Sequence, residues 1–328
     1  SERLDLVLDY LNQAVASSKQ QEPTIIYVTR QQDAEDLAQQ LVAQGWPAVA
    51  YHAGLASEQR HKVQEGFMAS NHGLIVATIA FGMGVDKANI RRVIHFHLPK
   101  SLENYAQETG RAGRDGLPSD VIMLACCEDL RSLENFVYGD TPDLASITAV
   151  LTAILGQAQL AQRLELSTYH LSRDFDLRPA VLKTLLTYLE LEEILLFEGP
   201  IYTTYKVRLK VPLEKLLTDV ENAAFYQRIF ASAKAGRSWY TLEISDLAEQ
   251  LGVLRSKLIA GLNSLEEQDL IELKVSGLKQ VYRRLEQPAS LRELSEDLTR
   301  RFETSESREI ERLQQVIELA HQDKCLVR

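Results

Sequence analysis

The sequence predicts an α/β lobe built on a parallel sheet, followed by a duplicated helix-turn-helix region and a C-terminal helical segment. Three observations predict this. From Pro23 to Val137, short β-branched runs alternate with amphipathic stretches, the pattern of a parallel sheet covered by helices. Beyond Asp143 the chain resembles itself without a gap at an offset of 76 residues. After Leu291, apolar residues recur every three or four positions.

The expected strands are Thr24 to Thr29, Ala48 to His52, Leu74 to Thr78, Arg92 to His97 and Val121 to Cys126. Between the first two, Leu37, Leu41 and Val42 form a helical stripe that Gly45 is placed to end. Ligands of such a sheet sit in the loops at the carboxyl ends of its strands, so the residues after each apolar run are where chemistry is expected.

Composition narrows the function. The 328 residues carry 36 Lys plus Arg against 46 Asp plus Glu, a net charge of −10, which argues against a general polyanion binder and leaves only local nucleic-acid contacts. No apolar run approaches the roughly 20 residues of a membrane span, so no membrane role is expected. Three cysteines, two of them adjacent (Cys126, Cys127), cannot build a disulfide framework, and a reducing, intracellular setting is expected.

In the repeat, Leu171, Leu182, Leu186, Leu189 and Glu190 recur as Leu247, Leu258, Leu262, Leu265 and Glu266. Each copy reads as helix, tight turn, longer helix and two strands round a glycine, at Glu198-Gly199-Pro200 and at Ser276-Gly277. That is the pattern of two winged helices, placed at 144–213 and 214–287 between a lobe over 1–140 and a helical segment over 288–328. Lys206 and Arg208 in one copy, and Lys274, Lys279, Arg283 and Arg284 in the other, lie in stretches free of acids and are expected to meet phosphate. Trp46 and Trp239 read as core or loop anchors, and His95 and His97 as packing residues of one strand face.

Four segments carry the chemistry: YVTRQQDAEDLA from Tyr27, YHAGL from Tyr51, ATIAFGMGVDK from Ala77 and NYAQETGRAGRDG from Asn104. A helix capped by Ser101 would project Gln107, Arg111 and Arg114 one way, and a guanidinium that cannot deprotonate suits the charge of a transferring phosphoryl group. Gly82 and Gly84 let the main chain approach a ligand. In order and spacing the four segments resemble motifs IV, the YHAG element, V and VI of RecQ-like superfamily 2 DNA helicases. The resemblance implies the second RecA-like lobe of an ATP-dependent helicase moving 3′ to 5′. It implies Arg114 as the arginine finger beside Arg111 and Gln107, with nucleotide reached around Asp86, Gly84 and Gly82. It also implies that DNA backbone is gripped by Thr29, Arg30, His52, Gly54 and Thr78, with His52 ranked last.

No G-x-x-x-x-G-K-[ST] and no Asp-Glu-x-His occur in the sequence, so ATP and Mg²⁺ are expected to need a preceding first lobe, the chain being a fragment. The segment ending at Cys325 resembles the helix that supplies the first cysteine of the family's four-cysteine zinc module, which makes Cys325 an expected ligand of an incomplete Zn²⁺ site. The implied partners are single-stranded DNA, its junction with duplex, and the first lobe; the implied setting is a bacterial cytoplasm or a eukaryotic nucleus. A non-catalytic DNA-binding or regulatory protein with a decayed lobe is the alternative, and an RNA helicase is disfavoured by the YHAGL and FGMGVDK wording.

Overall fold

The computed structural model describes residues 2–18, 20–82, 84–156 and 159–322, and Cys325 lies outside them. The chain forms two compact units: Ser1–Thr141 with Glu303–Arg328, and Pro142–Phe302.

The first unit runs α1 (Glu2–Ser18), β1 (Thr24–Tyr27), α2 (Gln31–Ala43), β2 (Ala48–Tyr51), α3 (Ser57–Ala69), β3 (Leu74–Ala77), β4 (Arg92–His95), α4 (Leu102–Thr109), β5 (Asp120–Met123) and α5 (Cys127–Tyr138). Its sheet has the order β2-β3-β1-β4-β5, and every neighbouring pair is parallel. The three central strands are buried on both faces, which is why TIIY, LIVA and RVIH read as runs and not as alternation. On α2 the stripe facing the sheet is Ala34, Leu37, Ala38 and Leu41. Val42 points outward, a correction of the sequence reading: alanines allow close helix–sheet approach one position round the helix from the expected line. The end of α2 is as expected, with Gly45 at φ +87 and the Trp46 N–H closing back onto the Leu41 carbonyl at 2.9 Å.

The strands are shorter at their carboxyl ends than the apolar runs suggest. Thr29, His52, Thr78 and His97 therefore fall in the loops just past β1, β2, β3 and β4, and parallel pairing gathers those loops along one edge.

The second unit runs α6 (Leu144–Leu155), β6 (Arg163–Leu166), α7 (Thr168–Asp174), α8 (Pro179–Leu191), β7 (Leu195–Leu209), α9 (Leu213–Asp219), α10 (Ala223–Ser232), β8 (Lys234–Ala235), β9 (Tyr240–Glu243), α11 (Ile244–Leu251), α12 (Arg255–Glu267) and β10 (Ile271–Arg284). A final helix, α13 (Leu291–Ala320), follows. The duplication is visible in the backbone: α8 and α12 begin and end 76 residues apart, as do the starts of β7 and β10. The left-handed residues Glu193 and Asp269 also correspond, as do Asp176 and Gly252.

The expected wings differ. Neither strand folds back at its glycine. Instead β7 and β10 each run straight through and pair antiparallel with one another from Leu195 to Leu209, in a single sheet of order β6-β10-β7-β9-β8. The pairing is centred on Tyr202 opposite Leu278, which are themselves repeat equivalents, so the two copies are related by a local two-fold. Each strand starts in its own copy's core and ends in the other's. Leu195 packs with Leu182, Leu186 and Leu189, whereas Tyr205 and Val207 pack with Leu258, Leu262 and Leu265; Ile271 and Tyr282 make the reciprocal exchange. Gly277 serves close approach here, since a Cβ on it would lie 2.2 Å from Thr203 Oγ1.

Candidate motor-lobe site

The loops after β3 and α4 meet through two arginines. Ser101 caps α4 as expected, its Oγ accepting from the Asn104 N–H at 3.2 Å, but the helix ends at Thr109. Only Gln107, exposed on the last turn, leaves from the helix; Arg111 and Arg114 leave from the turns beyond it, so the three do not share a helical face. Gly113 at φ +62 bends this segment, and its N–H is bound to the Ile90 carbonyl at 2.9 Å.

Arg111 is buried, at 5% exposure, and its Nη1 donates to the Gly82 carbonyl at 2.7 Å. A Cβ on Gly82 would stand 2.3 Å from Arg111 Nη2, so the glycine is what lets the guanidinium lie against the loop. Arg111 Nε has no partner and is shielded from solvent. The bonded Nη1 of Arg111 holds the loop after β3. Arg114 is different. It donates to Asp86 Oδ1 at 3.0 Å and to the Gly110 and Val85 carbonyls at 3.1 and 3.5 Å, with 38% of its side chain exposed and 90% of Asp86's. Among the lobe arginines expected at nucleotide, Arg114 is thus the one with an accessible charge, tethered to a carboxylate that solvent already weakens. Gly84, at φ +80, lies between Gly82 and Asp86.

The neighbouring acids do not neutralise these arginines. Glu108 is buried and meets His95 Nε2 at 2.7 Å, while Asp115 is bound by Arg91 at 2.5 Å, whose hydrogen bond holds the Asp115 carboxyl below the usual range. His95 also stacks on Tyr27 at 5.7 Å, and the Tyr27 hydroxyl donates to the Phe81 carbonyl at 3.0 Å. Tyr27 thus ties the end of β1, and through ring stacking His95 on β4, to the loop that Arg111 holds.

At the strand ends, Arg30 is exposed, donates to Ser132 Oγ at 3.2 Å and lies 5.5 Å over the Phe136 ring. Thr78 is mostly buried, its N–H bound to the Tyr51 carbonyl at 3.1 Å. His52 is buried and paired with Glu35 at 3.0 Å, in keeping with a packed histidine. A Cβ on Gly54 would lie 2.2 Å from Gln31 Oε1, so the exposed Gln31 side chain lies against this glycine. His97 was missed as a site residue. It lies beyond β4, where its Nδ1 accepts the Thr29 N–H at 3.2 Å. Burial pushes its pKa down, helped by Arg3 and Arg30 and opposed by Asp129 and Asp33, which favours the neutral ring that can accept. No sequence signal separated it from His95; only the strand's early end does.

In the second unit the acid-free stretches gain acids, for all but Lys274 from other strands. Arg208 pairs with Glu272, Lys274 lies 3.7 Å from the same carboxylate, Lys279 3.6 Å from Glu165, and Arg283 pairs with Glu198. Arg284 leaves the phosphate-contact set: it is 3% exposed and donates to the Leu155 and Glu286 carbonyls at 3.0 and 3.3 Å. Among the described residues, no helix is long and apolar enough to cross a membrane, and no group of three or more His, Cys, Asp or Glu is placed to hold a metal.

Comparison with known proteins fits this geometry. Residues 3–116 match the helicase conserved C-terminal domain. Over 99 residues, 30% of this chain and 16% of the relative, the sequence is 52% identical to the ATP-dependent DNA helicase RecQ of Pasteurella multocida. It is 41% identical to the RecQ of Haemophilus influenzae over 149 residues, 44% of this chain and 24% of that one. A 27% identity extends over 88% of this chain, and 32% of the relative, in the ATP-dependent DNA helicase Q-like 5 of Arabidopsis thaliana. The chain thus spans a third or less of the length of these relatives.

Proposed function

We propose, from the premise that this chain carries the C-terminal portion of a RecQ-like superfamily 2 helicase, that it is the second motor lobe of an ATP-dependent DNA helicase moving 3′ to 5′, with DNA contacts in its second unit. The observation that carries the reading is the division of labour between two arginines. Arg111 is locked on the Gly82 carbonyl and fixes the loop, and Arg114 is left accessible on a solvated Asp86.

ATP fits such a site, because Arg114 already binds an anionic oxygen and can exchange an exposed carboxylate for a phosphate oxygen. When bound with Mg²⁺, the nucleotide supplies the phosphoanhydride whose cleavage drives movement. The sequence contains no phosphate-cradling G-x-x-x-x-G-K-[ST], so a facing lobe would hold ATP and this chain would contribute Arg114 on closure, with Gln107 exposed nearby. Asp86 would be released at that moment and become available to the nucleotide. Thr29, Arg30, Gly54 and Thr78, gathered on one edge, would follow the backbone of the tracked strand. The Tyr27 hydroxyl on the Phe81 carbonyl offers a connection between that edge and the loop that Arg111 holds. Cys325 as a zinc ligand, and the helix pairs of the second unit as winged-helix-like duplex binders, belong to the same proposal.

The experiment is steady-state ATP hydrolysis by the helicase that carries this lobe, with and without single-stranded DNA. DNA-stimulated turnover lost in Arg114→Ala, with ATP affinity kept, supports the reading; DNA binding with undiminished turnover in Arg114→Ala overturns it.

A further inference from the structure

The turn joining β8 to β9 closes over a pocket lined by Lys206, Arg237, Lys274, Trp239 and Thr241, and no carboxylate is among its lining residues. The turn is fixed by the Gly236 N–H on the Trp239 carbonyl at 2.8 Å. In the sheet below it, Lys206 lies directly opposite Lys274 across β7 and β10, and Thr241 lies opposite Lys206 on β9. Like charges directly opposite one another destabilise a sheet, so this pair costs folding free energy that a neutral pair would not. Lys274 Nζ is 4.7 Å and Arg208 Cζ 5.2 Å from the Trp239 ring centroid. Glu272 offsets Arg208 and lies near Lys274, but among the described residues Lys206 and Arg237 have no ion-pair partner.

The duplication supplies an internal control. At the repeat-equivalent positions of the other copy, Lys206 becomes Tyr282, Lys274 becomes Glu198, Arg237 becomes Ala161 and Trp239 becomes Arg163. There Tyr282 is buried in the core, and Glu198 is satisfied by Arg283 and, at 3.4 Å, by Arg163. The same backbone is thus neutralised at one end of the sheet and left cationic at the other. The excess charge at the second end is not demanded by the fold.

We propose that this pocket binds a phosphodiester group of a DNA strand, with Lys206, Arg237 and Lys274 around the phosphate and the Trp239 indole against the adjoining nucleotide. The inference rests on the DNA-helicase reading above and narrows its second-unit contacts to one end of the sheet. Three strongly hydrated or forked cations around one anion suit a phosphate, and an aromatic beside them suits the sugar or base attached to it.

Trp46 and Trp239 are the only tryptophans, so Trp46→Phe leaves one reporter. The 328-residue Trp46→Phe chain is titrated with an unlabelled DNA oligonucleotide while Trp239 emission is followed, in parallel with anisotropy of an end-labelled oligonucleotide. The expected result is a change in Trp239 emission with the same midpoint as the anisotropy. In K206A/R237A/K274A the affinity should fall about tenfold or more, and the slope of log affinity against log salt should lose about 2 to 3. Anisotropic binding with silent Trp239, or an unchanged slope in the triple variant, overturns the pocket but leaves DNA binding by the chain standing. No binding of either oligonucleotide by the wild-type chain overturns both. An equal emission change with poly-glutamate overturns the choice of phosphate. Should the triple variant fail to fold, Lys206→Gln alone, expected to lower affinity roughly threefold and the slope by about 1, carries the same decision.

Discussion

Gly82→Ala tests the way the first unit is locked. The glycine's backbone is not left-handed, so alanine brings no dihedral strain, and its cost comes from the new Cβ standing 2.3 Å from Arg111 Nη2. Arg111 must then swing off the Gly82 carbonyl, forfeiting a 2.7 Å charge-assisted hydrogen bond while its Nε is already unpaired in the interior. Such a bond to a buried charge is worth about 1.5–3 kcal/mol. For a unit of this size that lowers Tm by roughly 3–12 °C. The assay is thermal and urea unfolding of Gly82→Ala, Arg111→Ala and the double variant. Once Arg111 is gone the Cβ has nothing to strike, so Gly82→Ala should cost no more than about 0.5 kcal/mol in the Arg111→Ala background. Equal costs in both backgrounds, or no cost in the wild type, refute the reasoning.

Further outcomes follow from the same contacts. His97 has a folded pKa below the ordinary value of about 6.5, so its contribution to stability is present above that pH and is lost as pH falls through the lowered folded value. Tm should therefore drop more between pH 7.5 and 5.5 in the wild type than in His97→Gln, and parallel curves would contradict the Thr29–His97 bond. Arg284→Ala should cost about 3 kcal/mol of second-unit stability, because its buried carbonyl partners lose their donor, whereas Lys279→Ala should change unfolding by less than about 0.5 kcal/mol. Gly277→Ala should destabilise the second unit by about 1–3 kcal/mol, through φ +68 and the Thr203 hydroxyl, and an unfolding midpoint equal to the wild type would refute its role in close approach.

Much of the first unit was legible because local and global preferences agree there. TIIY, LIVA and RVIH have the β-branched composition of strands buried on two faces, and Ser101 and Gly45 are start and stop signals that need no tertiary information. The repeat was legible for the same reason: Leu182, Leu186 and Leu189 bury one helix face, and Leu258, Leu262 and Leu265 repeat it. What a strand pairs with is a different kind of fact. Gly199 and Gly277 fit a turn as readily as they fit a close crossing, and only the ladder between β7 and β10 decides for the crossing. That exchange is also why windows without acids misled. Glu272, Glu165 and Glu198 reach the basic residues across strands, and no window along the chain contains those pairs. In the loops after β3 and α4 the residue types and spacing marked Arg111 and Arg114 alike, but their different contacts depend on burial, which identical side chains in one short motif cannot encode.

The central claim is that Arg114 carries the charge this lobe lends to phosphate cleavage. Its most direct test is single-turnover ATP hydrolysis by the DNA-bound helicase carrying this lobe, comparing wild type with Arg114→Ala and Arg114→Lys. The account predicts a cleavage rate slower by about 10³-fold or more in Arg114→Ala, with nucleotide affinity little changed and only partial recovery in Arg114→Lys. A cleavage rate within a few fold of wild type in Arg114→Ala would contradict it.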